Sequence, residues 1–152
     1  MNTILFEKFR TVEGAREYIL ELEGQFSGGS GWAGFWLFNI YSEDNAFLSE
    51  ECKAAIGLSN ERALSYCAKA FSLLKAEAER GDGESAHLLA KYYEWGLPPI
   101  SRDRDIFKYW TDKAADAGFV VLQDLLAIYA DPKSKFYDAK RAVELRALVG
   151  NE

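Results

Sequence analysis

YWTDKAADAG, residues 109–118, carries one bulky side chain, a run of small ones and a terminal glycine, and nothing suited to catalysis. Trp110 supplies bulk and the alanine pair supplies the lack of it. Gly118 offers the left-handed backbone that other residues adopt only at a cost. The stretch reads as packing, and the same packing pattern recurs along the chain. In SLLKAEAERG, residues 72–81, Leu73, Ala78 and Gly81 stand 37 positions before Trp110, Ala115 and Gly118. In YDAKRAVELRALVG, residues 137–150, Asp138, Ala142 and Leu145 stand 35 positions after Asp103, Phe107 and Trp110.

A second segment type alternates with the first. AHLLAKYYEWG, residues 86–96, has Ala86, Leu89 and Tyr93, and LQDLLAIYA, residues 122–130, has Leu122, Leu125 and Tyr129 at a shift of 36. Spacings of three and four put each set on one helical face. The unit is therefore two helices, and a period of 35 to 37 residues is the mark of stacked helical hairpins that bury their faces against one another. Ala78 and Ala115 let helix axes approach, Trp110 fills the space, and Gly81 and Gly118 end helices. Asp103 reads as a helix N-cap.

AHLLAKYYEWG, ISRD and YWTDKAADAG together resemble the Sel-one-like repeat, a relative of the tetratricopeptide repeat. The likeness is specific over one unit, residues 86–118. There Ala86, Leu89, Tyr93, Gly96, Ile100, Asp103, Trp110, Lys113, Ala114, Ala115 and Gly118 occupy the pattern positions. Ala90 stands where the family has Gly, and the loop carrying Pro98 and Pro99 is one residue longer. Residues 60–81 and 119–150 match in part. The resemblance implies an all-α fold, a short right-handed solenoid of helical hairpins that binds proteins and has no chemistry of its own. Its first helices line the concave surface. The expected organisation is a single domain, residues 1–152, with an N-terminal helical cap region over 1–59 and a repeat region over 60–150.

Within the cap region, Val12, Ala15, Tyr18, Ile19 and Leu22 share a face of an amphipathic helix with Gly24 as its stop. QFSGGSG follows as a flexible connection, and no Lys or hydroxyl stands after it at phosphate-loop spacing. WAGFWLFNIY, residues 32–41, is apolar all round, so a helix there is either core or a face for a partner. Ala33, Leu37 and Tyr41 loosely echo the first helix of a repeat. Ser49 is placed to cap a helix whose first turn holds Glu50 and Glu51.

A chain of 152 residues with 49% apolar residues can bury a core by itself. The net charge of -6 repels nucleic acid and anionic membrane surfaces. It is concentrated: residues 1–60 hold four basic and nine acidic side chains, residues 61–152 fourteen and fifteen. Glu7, Lys8 and Arg10 interrupt any apolar leader, and no stretch approaches the ~20 apolar residues that span a bilayer, so a cytoplasmic protein is expected. Cys52 and Cys67 form no ligand spacing and read as small buried residues.

His87 is the only histidine, and no nucleophile or carboxylate motif surrounds it, so no catalytic, metal or cofactor site is expected. Binding residues are expected in two places. Glu43, Asp44, Glu50 and Glu51 form an acidic docking face for a basic protein. His87, Lys91, Tyr92 and Trp95 are candidates on the first helix of the best repeat, although Leu88, Tyr92 and Trp95 equally suit packing on an adjacent unit. Small acidic Sel-one-like proteins resemble bacterial immunity proteins, which implies a basic cognate toxin as partner. An adaptor in a signalling or stress pathway is the alternative, and an enzyme using His87 or a carboxylate pair is a remote one. The chain is expected as a monomer or a homodimer, the latter through the apolar GFWLF segment, residues 34–38, the terminal helix with Ala142, Val143, Leu145, Leu148 and Val149 having no obvious polar cap.

Overall fold

A computed structural model describes residues 7–150. Residues 1–6, part of the segment read as lacking an apolar leader, and residues 151–152 lie outside the described residues.

Every regular element described is a helix: α1 (Val12–Ser27), α2 (Gly31–Tyr41), α3 (Glu50–Ile56), α4 (Asn60–Glu79), α5 (Gly83–Trp95), α6 (Arg104–Asp116), α7 (Leu122–Tyr129) and α8 (Ala139–Val149). The fold is all-α, as the 3.6-residue periodicity requires. Among these helices none is long and apolar enough to cross a membrane.

Local chemistry sets the starts. Thr11, Ser30, Ser49, Ser59, Asp82, Asp103 and Asp138 each accept a hydrogen bond from a backbone N–H in the first turn of the helix that follows. A cap of this kind contributes about 1 kcal/mol. Only α7, preceded by Val121, lacks one. Ser49 and Asp103 therefore do what their sequence positions suggest, and Asp138 matches Asp103. At the other end, α4 and α6 terminate identically. Gly81 N–H donates to the Ala78 carbonyl and Asp82 N–H to that of Glu77, while Gly118 N–H donates to Ala115 and Phe119 N–H to Ala114. The glycines have φ of 96° and 87°, a region that penalises a Cβ.

Two sequence expectations need correction. Gly24 does not stop α1, which continues three residues further to Ser27, and QFSGGSG is not a long connection. Only residues 28–30 link α1 to α2, because Ser30 is already the cap of α2. Gly24 is thus a helix-interior glycine, and a Cβ built there meets nothing within 4 Å. Gly24→Ala is expected to stabilise the fold by about 0.5–1 kcal/mol, read as a raised Tm in thermal unfolding. The buried small residue of α6 facing the core is Ala114, 2% exposed, whereas Ala115 is half-buried. The helix is rotated slightly relative to α4, where Ala78 is the buried one.

The core passes along the chain in three clusters. The first joins α1, α2 and α3 through Leu22, Leu37, Ile40 and Cys52. The second joins α2, α4 and α5 through Phe35, Cys67, Leu74 and Tyr92. The third joins the end of α4 to α5, α6 and α7 through Leu89, Phe107, Trp110 and Ile128. The most extensive helix pairings are α2 with α4 and α5 with α6, bridged by α4 on α5. Residues 32–41, open between core and partner face, are mostly core: Ala33, Phe35, Leu37, Ile40 and Tyr41 are buried. Gly31 and Gly34 make this possible. A Cβ on Gly31 would lie 2.7 Å from the backbone nitrogen of Leu74, and one on Gly34 2.6 Å from the Phe26 ring. In α8, Ala142 and Leu145 are buried while Val143, Leu148 and Val149 are exposed.

Candidate functional site

The eight candidate residues do not gather in one place. Trp95, the last residue of α5, is 54% exposed. It shares a cleft of about 350 Å³ with Asp44, Ser42, Phe38 and Phe47. Asp44 and Trp95 lie 51 residues apart in sequence, and the packing of α2 near the end of α5 puts them on one surface.

Asn45 shapes the segment that carries Asp44. It is 6% exposed, and its amide nitrogen donates to the carbonyls of Asn39 and Ile40 at 3.2 and 3.0 Å. Its side-chain oxygen accepts from the N–H groups of Phe47 and Leu48 at 2.9 and 3.1 Å. One buried amide therefore satisfies two carbonyls of the last turn of α2 and folds residues 42–48 back on that helix. Phe47 in turn sits edge-on to Phe9, and Phe38 edge-on to Phe35. Asp44 is exposed and accepts a hydrogen bond from the Ser42 hydroxyl.

The other acidic candidates do not line the cleft. Glu43 and Asn60 bond reciprocally, the Glu43 N–H to the Asn60 side-chain oxygen and the Asn60 amide to the Glu43 carboxylate, both at 3.0 Å. Glu50 pairs with Lys53 at 2.8 Å while its own side chain is 90% exposed. Glu51 is exposed beside it in the first turn of α3.

Tyr92 is not partner-facing. It has no exposed surface, packs on Phe35 and Phe71, and its hydroxyl donates to the Cys67 carbonyl at 2.6 Å. Leu88, 8% exposed, belongs to the same cluster, so within this stripe two residues pack on the neighbouring helices and only Trp95 emerges. Burial and the contact with Cys67 push the Tyr92 pKa far up. Burial also raises the Cys67 thiol to about 11, and Cys52 is buried likewise, as the reading of both as packing residues requires.

His87 and Lys91 meet a carboxylate that the sequence reading passed over. Asp124 of α7 is 6% exposed. Its Oδ1 accepts from Lys91 Nζ at 2.7 Å, and its Oδ2 has no hydrogen-bond partner but lies 3.5 Å from His87 Nδ1. Lys91 also donates to Glu94 at 2.8 Å. Burial works against the charge on Lys91, but the bonds to Asp124 and Glu94 outweigh it and its pKa is raised. Burial, then the adjacent Lys91 charge, hold the His87 imidazole below its ordinary value against the pull of Asp124 and Glu94, so it is neutral near pH 7. Its ring lies against Phe119. The cluster ties α5 to α7, and Lys91 Nζ lies 5.6 Å from the Trp95 ring centroid. A carboxylate inside the apolar run VVLQDLLAIY was the available signal for Asp124, since such a residue must be paired when buried. Among the described residues, no three His, Cys, Asp or Glu side chains converge as a metal-binding group.

Comparison of the chain with protein-family models, with curated proteins and with solved structures found no match in any of the three.

Proposed function

We propose that the protein is a non-enzymatic binding module of the immunity type, which covers a basic cognate toxin in the cytoplasm and neutralises it. The observation that carries this reading is the convergence of Asp44 with Trp95, Phe38 and Phe47 in one open cleft, Asp44 coming from the part of the chain, residues 1–60, that holds nearly all the net negative charge. An exposed indole is an anchor that interface centres favour, the carboxylate beside it selects a cationic group, and the net negative charge of the protein attracts a basic partner.

The scaffold in this reading is a short right-handed solenoid of helical hairpins of the Sel-one-like kind. Three recurring bonds support it. The carbonyls of Tyr41, Tyr93 and Tyr129 accept from the N–H groups of Ser59, Asp103 and Asp138, each the cap of the hairpin's second helix, at 3.0, 2.9 and 3.0 Å. The hairpins are then α2 with α4, α5 with α6, and α7 with α8. Gly34, Leu37 and Tyr41 reproduce the spacing of Ala86, Leu89 and Tyr93 better than a register starting at Ala33. The repeat region is 60–150 with 86–118 as its clearest unit, and the cap region 1–59 lends α2 to the first hairpin.

The test is capture of partners on the tagged full-length protein from its native cells, followed by association kinetics with the main one. Reversal of Glu43, Asp44, Glu50 and Glu51 to lysine is expected to weaken binding and to slow association about tenfold at low salt. An unchanged association rate would remove this surface from the reading, and several weakly bound clients would replace a toxin inhibitor with an adaptor.

A further inference from the structure

We propose that the cleft at the ends of α2 and α5 receives a single arginine side chain of the partner; this rests on the reading above and names what enters the site. Four observations point to a guanidinium.

The walls are flat aromatic rings, Trp95 with Phe38 and Phe47, which suit a planar cation stacked against them. Among the described residues that line the cleft, Asp44 is the only charged one, so none of them supplies its carboxylate with a cation. Two helices also end at the cleft. Phe38 and Asn39 belong to the last turn of α2 and Trp95 to the last turn of α5, and neither helix has a basic residue in that turn. At α2 the carbonyls of Phe38, Asn39 and Ile40 already accept from the Ser42 N–H and the Asn45 amide, so it is the end of α5 that offers a negative dipole end to a cation supplied from outside. Finally, the Lys91 charge near Trp95 is matched by Asp124 at 2.7 Å and Glu94 at 2.8 Å, so it does not oppose a second cation with its full strength. A guanidinium offers paired N–H donors to Asp44 while its plane lies on an aromatic face, which an ammonium does with less directional match.

The experiment titrates the isotope-labelled full-length protein with N-acetyl-arginine amide and follows the indole N–H resonances. The chain has four tryptophans, so Trp32, Trp36 and Trp110 serve as internal references, and Trp95→Phe identifies the fourth signal. N-acetyl-citrulline amide, isosteric and uncharged, is the control. A saturable shift of Trp95 alone, absent with the citrulline probe and weakened about tenfold in Asp44→Asn, is expected. Asp44 is exposed, so that variant keeps its fold, which an otherwise unchanged spectrum verifies. No saturable shift, an equal shift with citrulline, or retention in Asp44→Asn overturns the proposal.

The outcome is separable from that of the parent reading. A captured basic partner that binds Trp95→Phe and Asp44→Asn at wild-type affinity defeats the arginine cleft and leaves the immunity reading standing. A probe that binds where no partner does leaves the cleft standing and defeats the other.

Discussion

Trp110→Ala is expected to destabilise the protein by about 4 kcal/mol, measured by chemical denaturation. The indole is 8% exposed and belongs to the cluster that joins α4, α5, α6 and α7, whose other buried members are Ala78, Ala86, Leu89, Ala90, Phe107, Ala114 and Ile128. Four of the seven other buried members of that cluster are alanines, which cannot fill the space an indole leaves. A cavity collapses only when neighbouring side chains can swing into it, and alanine has no rotamer to offer. A loss below about 1 kcal/mol would mean that α6 shifts freely on α5 and would undo the packing account of the 109–118 stretch.

Lys91→Met is the second large effect. Lys91 and Asp124 side chains are 15% and 9% exposed, and removal of the ammonium leaves Asp124 with neither a counter-charge nor a hydrogen bond to Oδ1, while Oδ2 has none to begin with. Breaking one half of such a pair costs about 3 kcal/mol, whereas replacing both halves with apolar groups costs far less. Lys91→Met with Asp124→Leu is therefore expected to recover most of the stability. The pH dependence gives an independent readout. The Lys91 charge is one of the causes that lower His87, so in Lys91→Met the His87 pKa rises and its protonated form becomes the partner of Asp124. A group whose folded pKa rises adds stability below that pKa, so the deficit of the variant shrinks as pH falls through the His87 titration and is greatest above it. An equal deficit on both sides would show that His87 does not reach Asp124.

The same residues show how far the amino-acid order reaches. Helix starts at Ser49, Asp103 and Asp138 and helix ends at Gly81 and Gly118 are legible because each rests on bonds within a few residues. The all-helical class follows from periodicity in the same way. Even so, a local signal misleads where context is absent. Gly24 looks like a stop, yet its helix continues because Tyr18, Ile19 and Leu22 are buried and hold the turn that follows in place.

The candidate site was legible by residue type and not by position. An exposed carboxylate and an aromatic at the end of a helix are visible in SEDNAF and KYYEWG, but nothing in either segment says that they face the same cleft. Tyr92 and Trp95 stand three residues apart on one helix, and only the approach of α2 and α4 buries the first while leaving the second open. Asp124 looks like an ordinary polar residue until α7 lies against α5 and encloses it with Lys91 and His87. The sequence by itself determined the helices and several of their caps, because those depend on neighbours along the chain. Which side chains are buried, which carboxylate meets which cation, and the joining of Asp44 to Trp95 were decided by the tertiary structure, because burial and Coulomb energy depend on what lies across a few ångströms of space, and helix packing alone sets that distance.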